Sequence, residues 1–296
     1  MDLILRNGIK LSYDSAVVMG IINVTPDSFY ADSRCQDEEK LRARVRQIID
    51  EGGEMIDVGA YSSRPDGEDI SDEEEMSRLA IALPIIKDEL SAISASKYIP
   101  VSIDTFRANV AKECVEKYDA DIINDISGGT LDEDMLKVVA ELNVPYILMH
   151  MRGTPQTMKE MTDYPEGVTN EVMRFFREQI TKLYEIAKEE YREADSLQVI
   201  LDPGFGFAKT IEQNYQLFGN LSAFKTSFKG FPLLVGISRK SMIYKLLETD
   251  AANALEGTTI LNALAVASGA DILRVHDVAE AVSVVEQLKN NQVKQE

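Results

Sequence analysis

Residues 101–126 carry the pattern that decides the fold. They open on Val101-Ser-Ile-Asp-Thr105 and close on Ile122-Ile-Asn-Asp-Ile126, with an amphipathic stretch between the two apolar runs. Both runs are short, β-branched and continuous rather than alternating, as expected of parallel strands buried on both faces. Both also end on polar residues, Asp104 in the first and Asn124-Asp125 in the second. Apolar run, polar end, amphipathic helix, next apolar run: the stretch reads as a β-α-β unit.

Worked outward, the same unit fills the chain. Apolar runs occupy residues 17–24, 55–60, 101–105, 122–126, 145–149, 199–201, 233–237 and 272–275, eight in all. Helical patterns lie between them. Ser71-Asp-Glu-Glu74 is a capping-box signature, followed at helical spacing by Met76, Leu79, Leu83, Ile86 and Leu90. Val172, Phe176, Ile180, Leu183, Ala187 and Tyr191 form a second stripe, read as core-facing. Strand count alone leaves a doubly wound sheet open. The span from Asn23 at the first strand end to His276 at the last is 253 residues, close to the roughly 250 of a (β/α)8 TIM barrel. The spacing therefore predicts an α/β barrel in a single domain over residues 1–296, with residues 1–16 as an N-terminal hairpin closing the barrel bottom.

The chain has 296 residues, 45% of them hydrophobic and 27% charged, which is ordinary globular composition. Lys and Arg total 31 against 50 Asp and Glu, a formal charge of −19. Such a surface repels phosphate backbones and argues against nucleic-acid binding. It also repels small anions unless a few cations gather in one place. The two cysteines, Cys35 and Cys114, are far apart and form neither a zinc motif nor a disulfide framework. No apolar run reaches about 18 residues, the length of a membrane span, and the first residues lack a signal-peptide pattern. The expected setting is the cytoplasm, away from membranes.

The polar residues cluster at one end of the predicted strands. Asn23, Asp104, Asn124, Asp125, His150, Asp202, Ser238-Arg239-Lys240 and Arg274-Val-His276 each follow an apolar run. In a (β/α)8 barrel these ends converge on one face, where active sites form. Any one of them reads equally well as a helix cap; seven of eight together point to a site. His150, between Met149 and Met151, has a packed structural reading beside the functional one. Arg274 and His276, two apart on a strand, point to one side and make a cation pair suited to phosphate, with Lys240 and Arg64 as further candidates. Neither a P-loop nor a Rossmann glycine pattern is present. Asp104, Asp125 and Asp202 suit a metal cage or an acid/base set, and suit better the donor-rich edge of a flat heterocycle.

Eight motifs appear in order: Gly20-Ile-Ile-Asn-Val-Thr-Pro-Asp-Ser-Phe29, Ser63-Arg-Pro65, Ser102-Ile-Asp-Thr105, Ile123-Asn-Asp-Ile-Ser127, Leu148-Met-His-Met-Arg152, Leu201-Asp-Pro-Gly-Phe-Gly-Phe207, Gly236-Ile-Ser-Arg-Lys-Ser241 and Leu273-Arg-Val-His-Asp277. This set resembles the bacterial dihydropteroate synthases over essentially the whole chain. The resemblance implies a (β/α)8 barrel that joins 6-hydroxymethyl-7,8-dihydropterin pyrophosphate to p-aminobenzoate, releasing pyrophosphate by an SN1-like path. It implies that Asp104, Asn124, Asp202 and Lys240 hydrogen-bond the pterin in a slot shaped by Met149, Phe207 and Gly236. Asn23, Arg274 and His276 would hold the pyrophosphate, with Asn23 also on Mg²⁺. Phe29, Ser63, Arg64, Pro65, Lys240 and Ser241 would place p-aminobenzoate, the loops 25–29 and 62–65 closing over it. Catalysis would fall to Asn23, Arg64, Lys240, Arg274 and His276, in a homodimer.

Two departures stand out. The second loop usually reads Ser-Thr-Arg-Pro-Gly after a Glu; here Tyr61 precedes Ser62-Ser-Arg-Pro-Asp66. Ala208 stands where a Gly often precedes Lys209-Thr210, a change read as minor packing. With the acids placed on the helices, Arg64, Lys240, Arg274 and His276 are expected to form a small positive pocket. A pterin-binding methyltransferase would share the pterin-reading acids but needs no pyrophosphate clamp, and a silent pterin-binding paralogue would keep the barrel alone.

Overall fold

A computed structural model describes residues 1–24, 34–63, 67, 69–93, 97–191 and 196–293. The chain opens with an antiparallel pair, β1 (Asp2–Ile4) and β2 (Lys10–Ser12). Eight parallel strands follow: β3 (Val17–Asn23), β4 (Met55–Gly59), β5 (Val101–Asp104), β6 (Ile122–Asp125), β7 (Tyr146–Met149), β8 (Val199–Asp202), β9 (Leu234–Val235) and β10 (Ile272–Val275). All eight coincide with the apolar runs of the sequence. They pair in the order β8-β7-β6-β5-β4-β3-β10-β9. A parallel bridge between Leu201 and Leu233 joins the two ends of that order, so the sheet closes into a barrel.

Helices return the chain from the top of each strand to the bottom of the next. They are α1 (Arg34–Asp50), α2 (Asp72–Ile93), α3 (Ala108–Tyr118), α4 (Met135–Leu142), α5 (Val168–Ile186), α6 (Ile211–Gly219), α7 (Leu221–Ser227), α8 (Ser241–Tyr244), α9 (Leu255–Ala267) and α10 (Val278–Val293). The expected cap of α2 is present, Ser71 Oγ accepting from the Glu74 N–H at 3.2 Å. Leu79, Leu83, Ile86 and Leu90 of α2 and Val172, Phe176 and Leu183 of α5 are buried against the outer face of the barrel.

Strand alternation sorts the interior into levels. The lower level is apolar: Val17, Met19, Met55, Ile122, Ile147, Ile200, Leu234 and Ile272 face one another, and Leu3 of β1 packs among them. The hairpin therefore plugs the bottom, as the sequence predicts. Burying each of these side chains stabilises the fold by roughly 1.5–3 kcal/mol. The next inward positions up β4, β6, β7, β8, β9 and β10 are Asp57, Asn124, Met149, Asp202, Gly236 and Arg274, with Asp104 of β5 paired beside Asn124, and there the chemistry changes.

Candidate active site

Arg274 occupies the middle of the upper level. From β10 its Nε donates to Asp57 Oδ2 on β4 at 2.6 Å and its Nη2 to Asp104 Oδ2 on β5 at 2.6 Å. Asp57 is fully buried, and its Oδ2 also accepts from Asn124 Nδ2 on β6 at 3.1 Å. Four strands thus contribute to one polar cluster. Burial raises the Asp104 pKa to about 7, with Arg274 opposing and Asp57 adding to the rise.

Asp202 and Lys240 form a second part of the site. The Asp202 Oδ1 accepts the Gly204 N–H at 2.8 Å, and burial raises its pKa against the pull of Lys240. Lys240 sits at the N-terminus of α8, where its Nζ donates to the Phe205 carbonyl at 2.7 Å and lies 4.7 Å from the centre of the Phe207 ring. Desolvation lowers its pKa to about 8, partly offset by Asp202. Beside them Met149, Phe207, Ile126, Met151, Met158 and Ala208 pack into an apolar patch. Gly236 keeps the wall low: a Cβ there would lie 3.8 Å from both Asp202 Oδ2 and Arg274 Cβ. An apolar patch beside buried carboxylates suits a flat, donor-rich ring.

The loop after β8 is held from below. Lys209, buried, donates from Nζ to the carbonyls of Gly204 and Phe207 at 2.9 and 3.0 Å and lies 3.0 Å from His150 Nδ1. Burial lowers both the Lys209 and the His150 pKa, and Asp202 opposes the fall at Lys209. Of the two readings of His150, the structure places it in packing, behind the slot. Gly204 at φ +71° has no alternative, since a Cβ would fall 2.0 Å from the His150 carbonyl oxygen. Ala208 adopts φ +49°, with its carbonyl accepting from the Tyr164 hydroxyl at 2.9 Å. The Ala-for-Gly departure is thus one of backbone conformation, and not the minor packing change expected of it.

Asp125 does not join Asp104 and Asp202. It faces the outside of β6, where its oxygens accept from Ser127 N and Oγ, Gly129 N and the Tyr146 hydroxyl at 2.6–2.7 Å, anchoring the turn after the strand. Among the described residues no group of three His, Cys, Asp or Glu side chains suits a metal, so the acids do not make a cage. Asn23 ends β3 exposed at the mouth and offers one hard oxygen of the kind Mg²⁺ takes beside phosphate and water ligands. His276 is also exposed at the rim; its N–H donates to Ser238 Oγ at 3.2 Å, and desolvation together with Arg274 lowers its pKa.

The positive pocket expected from the sequence is corrected by these contacts. Arg274 is bound to two carboxylates, and Lys240 faces Asp202, because the interior strand positions place acid and base side by side. Arg64, Pro65 and Phe29, and the loop 25–29, lie outside the described residues. Ser63 is half-buried at the start of the second loop, and Ser241 opens α8 beside Lys240. Tyr61 closes the base of that loop: its hydroxyl donates to Asp69 at 3.1 Å and accepts from Gln156 at 3.0 Å. Its ring meets Phe106 edge-on at 5.1 Å, with the Arg107 guanidinium 5.0 Å from both rings. Arg107 also donates to the Ile70 carbonyl at 2.5 Å, so it touches both ends of the loop. Asp57, Lys209 and the Tyr61–Arg107 pair lie outside the site residues that the strand ends point to.

Residues 19–276 match the family model described as pterin binding enzyme. The chain belongs to this pterin-binding family. It is 42% identical over 264 residues to the dihydropteroate synthase of Synechocystis, covering 88% of this chain and 85% of that one. Among solved structures, the dihydropteroate synthase of Xanthomonas albilineans with 4-aminobenzoic acid superposes with a TM-score of 0.82 at 32% identity, over 98% of each chain. The Yersinia pestis dihydropteroate synthase, solved with a sulfonamide drug complex, gives a TM-score of 0.81 at 32% identity over 99% of this chain and 100% of that one. A pterin is a flat ring with several N–H groups along one edge, which suits an apolar patch beside buried carboxylates.

Proposed function

We propose that this chain is a dihydropteroate synthase, a transferase that condenses 6-hydroxymethyl-7,8-dihydropterin pyrophosphate with p-aminobenzoate to give 7,8-dihydropteroate and pyrophosphate. One observation carries the reading. In a chain of the pterin-binding family, Asp104, Asn124 and Asp202 all face the barrel interior at one level, with Lys240 beside Asp202 and Arg274 beside Asp104. Carboxylates at the end of an apolar slot accept the N–H groups of the pterin, and Met149 and Phe207 bound its faces.

The reaction breaks the C–O bond to pyrophosphate and forms a C–N bond to the arylamine. Charge builds on the leaving oxygens while the methylene carbon becomes cationic in conjugation with the pterin. The arylamine is a weak nucleophile, which favours this SN1-like order. Arg274 and His276 at the mouth stabilise the growing negative charge, and Asn23 beside them offers an oxygen to Mg²⁺. Mg²⁺, when bound, neutralises charge on the pyrophosphate. Asp104 and Asp202 hold the pterin still, and a carboxylate there stabilises its cationic form. Water must be kept from the methylene carbon, a task for the loops that carry Phe29 and Ser63, Arg64 and Pro65, with Lys240 and Ser241 placing p-aminobenzoate.

Pairing of two chains is supported by α9, which exposes Ile260 and Leu264, and by Leu246 and Leu247, exposed in the stretch before it. A helix apolar on its outer face needs cover, and a second copy supplies it. A cytoplasmic setting is supported by the absence, among the described residues, of any helix long and apolar enough to cross a membrane, and by the free, buried Cys114. The reading is tested by incubating the purified chain with the pterin pyrophosphate, p-aminobenzoate and Mg²⁺. We expect dihydropteroate and pyrophosphate in equal amounts, each dependent on both substrates. Pyrophosphate release at the same rate without p-aminobenzoate, or no product, overturns it.

A further inference from the structure

Asp57 is a costly residue for the fold. It is fully buried in the middle of the strand Met55-Ile-Asp-Val-Gly59, and its Oδ1 has no hydrogen-bond partner among the described residues. Neighbouring Ser102 Oγ, paired with it across β4 and β5, is likewise without one. A buried carboxylate with one oxygen unsatisfied lowers stability relative to an apolar residue of that size. What it gains is convergence: Oδ2 alone takes the Arg274 Nε at 2.6 Å and the Asn124 Nδ2 at 3.1 Å. By binding Nδ2, it turns the Asn124 carboxamide so that its oxygen is the atom left to accept. By binding Nε, it fixes the guanidinium from one edge and leaves Nη2 to Asp104.

We propose that Asp57 is the positioning residue of this site, one carboxylate that sets the pterin-reading amide of Asn124 and the pyrophosphate-holding guanidinium of Arg274 in register without touching substrate. The inference rests on the roles given above to Asn124 and Arg274. Asp57 acts on Asp104 as well. The charged and titratable groups that bear on Asp104 include Arg274 on β10, Asp57 on β4, Glu75 on α2, Asp125 on β6 and Lys240 at the start of α8. Of these, Asp57 shares Arg274 with it directly. Removing the Asp57 charge relieves repulsion and leaves Arg274 to Asp104 alone, so Asp104 ionises at lower pH.

The test compares wild type, Asp57→Asn, Arg274→Ala and the double variant, with Asp57→Ala as a second substitution and thermal melting to establish folding. For kcat/KM with the pterin pyrophosphate, Arg274→Ala should lose about a hundredfold and Asp57→Asn about tenfold, in line with charged hydrogen bonds. In the double variant, Asp57→Asn should add less than about threefold to the loss from Arg274→Ala, the non-additivity expected when one residue acts through another. The acid limb of the kcat/KM profile should move to lower pH in Asp57→Asn, a shift that a packing role does not produce. Additive losses with an unmoved acid limb overturn the proposal while leaving the roles of Asn124 and Arg274 intact. An Arg274→Ala variant that keeps wild-type kcat/KM overturns both together. Should Asp57→Asn fail to melt cooperatively, the same comparison is read from Asp57→Ala, and cooperative melting with wild-type kcat/KM in either variant refutes the proposal.

Discussion

The barrel interior has two levels built from the same strands, and they serve opposite ends. At the lower level Met55, Ile122, Ile147, Ile200 and Ile272 meet Leu3 of the hairpin in an apolar plug. Two residues further along β4, β6, β8 and β10, about 6.6 Å higher, stand Asp57, Asn124, Asp202 and Arg274. The strands gain nothing in stability from that exchange. Burial raises the pKa of Asp104 and Asp202 and lowers that of Lys240, so ionising each of them there costs free energy. The difference teaches where this protein is under constraint to fold and where it is under constraint to act. It agrees with the division between the bottom and top faces of barrels of this type.

Substitutions on the two levels should therefore separate activity from stability. The largest effect is expected from Lys240→Ala: turnover of pterin pyrophosphate with p-aminobenzoate falls by about a hundredfold or more, with a melting temperature near that of wild type. A variant with near-normal turnover would break the assignment of the upper level. Ile147→Ala, one level below, should do the reverse. It removes a buried branched side chain and costs about 2–5 kcal/mol in denaturant unfolding, while kcat/KM of the folded fraction stays at the wild-type value. Loss of specific activity without loss of stability would show that the levels are not separate.

A smaller effect comes from pH. Below about 7 Asp104 is protonated, which on the proposed reading weakens its acceptance of a pterin N–H, and above about 8 Lys240 loses its charge. The kcat/KM for the pterin pyrophosphate, which reports the free enzyme, should form a bell whose limbs each fall about tenfold per pH unit. The sign for stability differs on the acid side. The folded pKa of Asp104 lies above the ordinary carboxylate value, so its contribution makes the fold less stable as pH rises from about 4 to about 7. Activity rising while stability falls across that window sharpens the comparison; a flat rate profile contradicts it.

The lower level was legible in the sequence and the upper level only in part, for a physical reason. Parallel strands buried on both faces leave continuous apolar runs, so all eight could be read, and the spacing from Asn23 to His276 gave the barrel. The ends of those runs drew attention to Asp104, Asn124, Asp202 and Arg274. Asp57 escaped because it lies inside a run, yet a lone carboxylate in the middle of Met55-Ile-Asp-Val-Gly59 was itself the signal, since burying it is expensive. Asp125 was drawn in with its neighbours because adjacency in sequence hides the alternation of faces; Asn124 points inward and Asp125 outward. The positive pocket failed for a related reason. Net charge and strand ends locate the cations but do not show which acids on neighbouring strands bind them. Ala208 could not have been read correctly without its backbone angle.

The upper level is proposed as the pterin pyrophosphate site. Calorimetric titration of that ligand into the wild-type chain and into Asp202→Ala, at matched folding and pH, tests it most directly. We expect saturable binding at one site per chain in the wild type and no measurable binding in the variant. Equal affinity in the two proteins would contradict it.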